Sequence, residues 1–351
     1  MSQVKLLNFT KKTSKDLHFI RRPELLFFPF DRMISRLSYK ADLFNYSLQS
    51  EPIAQFTKIS SPVLSWEECC LQRAEQLLRL NKEKYYLAFS GGIDSTTMLV
   101  SILRTWPKAD LKRIVIYLSH HSVEENPGFF DRYLAEFPLV NSLIDVSQEL
   151  FANGSLMVTG ELGDQLFGAD ILGTACQLFG DQALAADYRE MAPQVLDTLT
   201  KCPGAGAKIF AHLHPMVEEC PFPIRTMHDF FWWFNFSQKW QHVKFRFCHL
   251  PTWDTRARYG DCIMAFFDTP DFQRWSLANH DLKIKRTWDS YKFTAKEFIY
   301  DFTKDPAQLH LKKIQSLEKT YVLSEMRIAV TEDYGTVERP EDLEKYERFV
   351  N

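Results

Sequence analysis

The spacing of apolar residues changes along the chain, and each change predicts an element. From Trp66 to Leu80, WEECCLQRAEQLLRL sets apolar residues three and four apart behind Ser65, a natural capping residue, which predicts a helix. The next apolar block, 85-YYLAF-89, is a short unbroken run ending at Ser90-Gly91-Gly92, after which DSTTMLVSILRTW returns to helical spacing. Strand, tight turn and helix are predicted in that order. A charged turn then leads to 114-IVIYLS-119, completing a strand–helix–strand unit of the length a parallel crossover needs. A helix over 129-FFDRYLAEF-137 and two strand-like pieces, 142-SLIDV-146 and 155-SLMVTG-160, continue the alternation. The pattern predicts an α/β protein built on a doubly wound parallel sheet. Beyond about residue 180 the spacing is helical, over 181–200, 271–280 and 294–302, so the C-terminal half is expected to be rich in α-helix.

With 351 residues, 45% of them hydrophobic, the chain can bury one large core or two moderate ones. Residues 1–65 mix short apolar bursts such as LLFFPF with Ser, Lys and Pro and read as an extension, while 318–351 reads as a tail with charged residues of both signs. A formal charge of −3 supplies no general attraction to nucleic acid or to an anionic membrane. No segment approaches the roughly 20 apolar residues of a membrane helix, and the N-terminus lacks the apolar core of a secretion signal, so a cytoplasmic chain is expected. Seven cysteines form no CxxC pair, which points to packed, reduced thiols. The histidine pairs have no acidic or cysteine partner at metal-ligand spacing and read as structural or surface residues. The aromatic segment 229-DFFWWFNFSQKW-240 has the composition of a base-stacking platform, but a helix packed on all sides accounts for it more simply.

The turn after the first predicted strand carries candidate chemistry. Gly91 and Gly92 allow a sharp bend and close approach of backbone N–H groups to a ligand, and the following helix aims its positive N-terminal end at the same point. Ser90, Ser95 and Thr96 add hydroxyls. An aspartate among such donors, Asp94, would repel a phosphate unless a divalent cation lay between them, which suggests Mg2+ and a nucleotide. No lysine follows the glycines, so this is not the GxxxxGK[ST] loop. A second glycine-rich turn, 158-VTGELGDQLFGAD-170, also combines glycines with carboxylates after a short strand.

Ser90-Gly91-Gly92-Ile93-Asp94-Ser95 resembles the SGGxDS pyrophosphate loop of the adenylating ATP pyrophosphatases, whose fold is of the adenine nucleotide alpha hydrolase type. The second turn resembles the SGEGSDELFGG motif of asparagine synthetase synthetase domains, matching at Gly160, Glu161, Asp164, Leu166, Phe167 and Gly168. The run 263-IMAFFDTPDFQRWSL-277 resembles that family's R-x-P-F-L-D segment at Phe267 and Asp268, and 292-KFTAKEFIYDF-302 resembles its K-x-x-L-R helix. The resemblance spans 66–317. It implies ATP and Mg2+, with Asp94 and Asp164 as metal ligands, and with Ser90, Gly91, Gly92 and Ser95 around the pyrophosphate. It also implies that Thr159, Gly160 and Glu161 lie against the nucleotide, that backbone near Ala88 and Ile116, at the ends of the first two strands, contacts the adenine, and that Lys313, or Lys312, neutralises developing charge.

The implied reaction is adenylation of a carboxylate with release of pyrophosphate, then acyl transfer to ammonia or an amine. Ser2 stands where glutamine-dependent members have a cysteine nucleophile, and only about 85 residues precede the loop, so residues 1–65 are not expected to form a glutaminase domain. Nitrogen would come from free ammonia, a separate glutaminase, or an amine on a small-molecule or peptide substrate. Gln165, Ala169 and Asp170 depart from the family pattern and leave aspartate open as the acyl donor. Two other readings are a sulfur- or nitrogen-inserting enzyme acting on a nucleobase and a non-catalytic nucleotide binder.

Overall fold

The computed structural model describes Arg36 and residues 62–118, 120–141, 150, 154–200, 204–240, 243 and 262–311. The predicted strand 142–146, most of the N-terminal extension and the C-terminal tail lie outside them. The described residues form two compact units, 62–167 with 262–311, and 168–243 with Arg36. The division at Phe167/Gly168 falls inside the 66–317 stretch covered by the family resemblance.

The first unit opens with helix α1 (Trp66–Arg79), started by a reciprocal cap: the Glu68 N–H donates to Ser65 Oγ at 3.2 Å and the Ser65 N–H to Glu68 Oε2 at 2.7 Å. Strand β1 (Tyr85–Phe89) follows, then α2 (Ile93–Thr105), β2 (Ile114–Leu118), the short helix α3 (His120–Glu125), β3 (Leu139–Val140), β4 (Leu156–Thr159) and α4 (Gly163–Phe167). The expected helix at 129–137 is a turn of α-helix, Pro127–Phe129, running into a π-turn, Phe130–Leu134. Apolar continuity explains why β1 and β4 read as buried strands: four of the five residues of β1 and all four of β4 are buried.

The second unit holds α5 (Ile171–Phe179), α6 (Tyr188–Thr200), α7 (Ala205–Leu213) and α8 (Met227–Phe234). The helix expected over 181–200 is interrupted. Residues Asp181–Ala185 form a 3-10 turn, Ala186 is extended, and Asp187 bridges Thr226 while the Met227 N–H donates to the Ala186 carbonyl at 3.0 Å. That backbone pairing between the two chain segments overrides helical spacing. The aromatic segment is a buried helix, as its composition suggested: α8 continues into a π-helical turn, Asn235–Lys239, Tyr188 stacks on Phe230 at 4.8 Å, and Trp233 Nε1 donates to the Met216 carbonyl at 2.8 Å. Arg36 is buried here, its guanidinium 5.2 Å from the Phe236 ring centre and 4.6 Å from that of Trp240.

The chain returns to the first unit with β5 (Ile263–Ala265), α9 (Pro270–Ala278) and α10 (Phe293–Thr303). Among the described residues the five strands are all parallel, in the order β3-β2-β1-β4-β5. Trp66 anchors the core beside β5, with ring centres of Phe167 and Trp275 at 4.7 Å and Phe267 stacked at 5.7 Å. Arg73 on α1 closes the end of β5 by donating from Nε to the Phe266 carbonyl at 3.0 Å, and burial brings its pKa down to about 10. Among the described residues no helix is long and apolar enough to cross a membrane.

Burial pushes the Cys69 thiol up to about 12 and the fully buried Cys70 thiol well above its usual range. Both stay protonated at ordinary pH, and only the thiolate reacts. Labelling of native protein with a thiol reagent at pH 8 is therefore expected to spare Cys69 and Cys70 until the protein unfolds; rapid native labelling at either position would contradict the packing of α1.

Candidate functional site

The strand order places a switch point between β1 and β4, because the chain builds outward from β1 to β3 and then returns to the other side of β1. Open parallel sheets form a crevice at such a point, beyond the carboxyl ends of the strands. Both glycine-rich turns leave those two strand ends: Ser90-Gly91-Gly92 follows β1, and Gly160 to Gly163 follows β4.

The first turn is held by its own hydroxyls. Ser95 Oγ accepts from the Ser90 N–H at 3.2 Å and lies 3.0 Å from Ser90 Oγ, while Ser95 and Thr96 donate to the Gly92 carbonyl at 3.0 and 2.9 Å. Ser95 and Thr96 are buried, so they staple the turn; Ser90 is exposed. Gly91 has φ +83°, and an added Cβ would lie 2.5 Å from the Ser122 carbonyl oxygen and 2.6 Å from Glu125 Cβ. Helix α3 therefore rests against the turn, and Glu125 places a carboxylate beside it. Gly92 heads α2 with no side-chain cap, leaving the first-turn amides to other acceptors.

The second turn packs directly on the first. A Cβ on Gly160 would come within 2.7 Å of the Ser95 nitrogen, and one on Gly163 within 2.4 Å of the Asp94 carboxylate. Between these glycines Leu162, buried, holds φ +74°, a left-handed conformation that costs a non-glycine residue about 1–2 kcal/mol. The contact brings Asp94 of α2 and Asp164 of α4 to one point, and that point is the ammonium of Lys292. Its Nζ lies 2.6 and 2.5 Å from the two Asp94 oxygens and 2.6 Å from Asp164 Oδ1. The Asp164 contact is a close charge pair without hydrogen-bond alignment. The Lys292 side chain is 1% exposed, against 18% for Asp94 and 28% for Asp164. Lys292 also has positive φ, +59°, directly before α10, and its Nζ is 5.6 Å from the Tyr291 ring centre and 5.9 Å from that of Phe167.

Of the expected site residues, Ser90, Gly91, Gly92, Asp94, Ser95, Gly160 and Asp164 are brought together. Thr159 ends β4 with its hydroxyl buried and without a hydrogen-bond partner, and Glu161 is half-buried in the turn after it. Ala88 is half-buried near the end of β1. Ile116 is not at a strand end: it sits mid-strand in β2, fully buried, with its N–H donated to the Pro138 carbonyl at 2.8 Å. Lys312 and Lys313 lie outside the described residues. The sequence marks Lys292 only by its place at the head of the segment resembling the K-x-x-L-R helix, between Tyr291 and Phe293, and not as a charge carrier.

The donors suit a hard divalent cation, since Asp94 and Asp164 offer only carboxylate oxygens aimed at one position, and Mg2+ prefers oxygen ligands. They suit a polyphosphate as well: two turns without room for a Cβ, an uncapped helix start, and a buried, unpartnered hydroxyl at Thr159. In comparisons with known proteins no family model matches the chain, no curated protein matches it and no solved structure matches its fold.

Proposed function

We propose that the protein is an ATP-dependent carbon–nitrogen ligase that adenylates a carboxylate, releases pyrophosphate and passes the acyl group to ammonia or an amine. The observation that carries this reading is the convergence of Asp94 and Asp164, from the two turns flanking the switch point, on a single position within 2.6 Å of both. Bound there, Mg2+ would neutralise polyphosphate charge and orient the leaving pyrophosphate. The backbone of Gly91 and Gly92 and the open start of α2 face the pyrophosphate half of ATP, where preorganised N–H donors stabilise charge that grows as the bond breaks. A substrate carboxylate oxygen attacks the α-phosphorus and the bond to the β-phosphate oxygen breaks. The amine nitrogen then attacks the acyl carbon and AMP leaves. Glu161, half-buried in the turn after β4, is the carboxylate assigned to take the proton from that amine.

Sulfur-inserting enzymes commonly use reactive cysteines; the chain has no CxxC pair, and burial holds Cys69, Cys70 and Cys176 as thiols, with Cys69 and Cys176 pushed up to about 12. Nucleotide binding without turnover is favoured by one observation, that an ammonium stands at the position a metal would take. The deciding experiment is release of pyrophosphate and AMP from Mg2+-ATP across a panel of carboxylates, aspartate among them, with hydroxylamine as the trap. A hydroxamate from one carboxylate is the expected result. ADP and phosphate as products would overturn adenylation, and tight ATP binding with no turnover would select the non-catalytic reading.

A further inference from the structure

Lys292 has a role that the two-carboxylate site does not require, and the geometry of its ammonium defines it. Its side chain is 1% exposed, and its Nζ contacts both oxygens of Asp94 and one of Asp164 at 2.5–2.6 Å, so it lies where a cation held by the two carboxylates would lie. Two carboxylates and one ammonium sum to a single negative charge. A divalent ion arriving alone must break this buried pairing and brings no anion in exchange, which is unfavourable. An ion arriving with a polyphosphate supplies the anion that the displaced ammonium needs.

We infer that Lys292 is a resident cation that keeps the Asp94–Asp164 position closed to free divalent metal and yields it only to metal accompanied by polyphosphate. The inference rests on the nucleotide-binding reading and adds a rule to it: metal and nucleotide bind together or hardly at all. Backbone geometry supports a placed rather than a fortuitous lysine. Lys292 adopts left-handed φ, its N–H donates to the Lys283 carbonyl at 2.9 Å, and its own carbonyl accepts from the Lys296 N–H at 3.0 Å. The side chain therefore leaves a backbone fixed on both sides.

The test is Mn2+ affinity measured by electron paramagnetic resonance, for Mn2+ alone and for Mn2+ with α,β-methylene-ATP, which cannot release pyrophosphate. Wild-type protein is expected to bind Mn2+ at least tenfold more tightly with the analogue than without it. Lys292→Met is expected to bind Mn2+ alone at least tenfold more tightly than wild type and to lose most of the linkage, while Lys292→Arg, which keeps a cation, stays like wild type. If Lys292→Met binds Mn2+ alone no better than wild type, the inference is overturned; intact wild-type binding of the metal–analogue pair would still leave the proposed function standing. If wild type binds neither metal nor analogue, both fall. Should Lys292→Met fail to fold, the wild-type linkage decides, and equal Mn2+ affinity with and without the analogue sinks the idea.

Discussion

Asp94→Asn is expected to lower pyrophosphate release by about a thousandfold and to lower the thermal unfolding temperature, but by less than Asp94→Ala. Asparagine keeps the shape that fits against Gly163, where a Cβ would come within 2.4 Å of the Asp94 carboxylate, but removes one of two charges aimed at the proposed metal. Asp94→Ala should behave differently. It strips Lys292, 1% exposed, of a partner that contacts it through both oxygens, and breaking one side of a buried pair costs about 3 kcal/mol. The alanine variant should therefore be the less stable of the two, because asparagine still offers Lys292 one acceptor oxygen. Asp164→Asn should follow Asp94→Asn. Wild-type turnover in either asparagine variant would eliminate the two-carboxylate site.

Gly160→Ala is expected to destabilise the protein by about 3 kcal/mol and to abolish nucleotide binding with it. The added methyl would sit 2.7 Å from the Ser95 nitrogen, 2.9 Å from Ser95 Cα and 3.0 Å from the Asp94 carbonyl carbon. All are backbone atoms at the start of α2, so relief comes only by moving β4 and its turn away from the first turn. Gly128→Ala is the control, because the nearest atom to its Cβ is 3.9 Å away, and it should change stability by less than about 1 kcal/mol. Chemical denaturation of the two variants with ATP titration compares them directly; equal stability would show that the turns are not in close contact.

The elements that could be read from the sequence are those whose signal is local. Strand β1, its glycine pair and α2 follow from apolar spacing and turn chemistry within some twenty residues, and the Ser65–Glu68 cap is legible in four. The burial of 229–240 follows from having almost no polar face to expose. What could not be read depends on distant partners. Helical spacing runs on across Ala186 and Asp187, and the break there comes from pairing with Thr226 and Met227. Strand β3 has only two residues, too few to show any period. Ile116 lies in the middle of 114–119, the run that predicted β2, so its mid-strand position was legible in the sequence. Lys292 is separated from Asp94 by 198 residues, and a single lysine before an amphipathic helix reads as solvated until the fold buries it. The glycines and carboxylates of the site were visible; the charge that balances them was not.

The placement of residues 168–243 between α4 and β5 bears on the order in which the sheet is built. Strand β5 pairs with β4 only after the chain between Thr159 and Ile263 has been spanned, whereas β1 and β2 are joined by α2 and one short helical turn, Lys108–Leu111. Loop-closure entropy rises only logarithmically with length, by about 0.6 kcal/mol per doubling, so a whole intervening unit costs the finished sheet little. Its cost falls on kinetics, because long-range pairings form slowly. During synthesis the switch point between β1 and β4, with Asp94 and Asp164, leaves the ribosome well before both β5 and Lys292, so the carboxylates exist for a time without the lysine that later joins them.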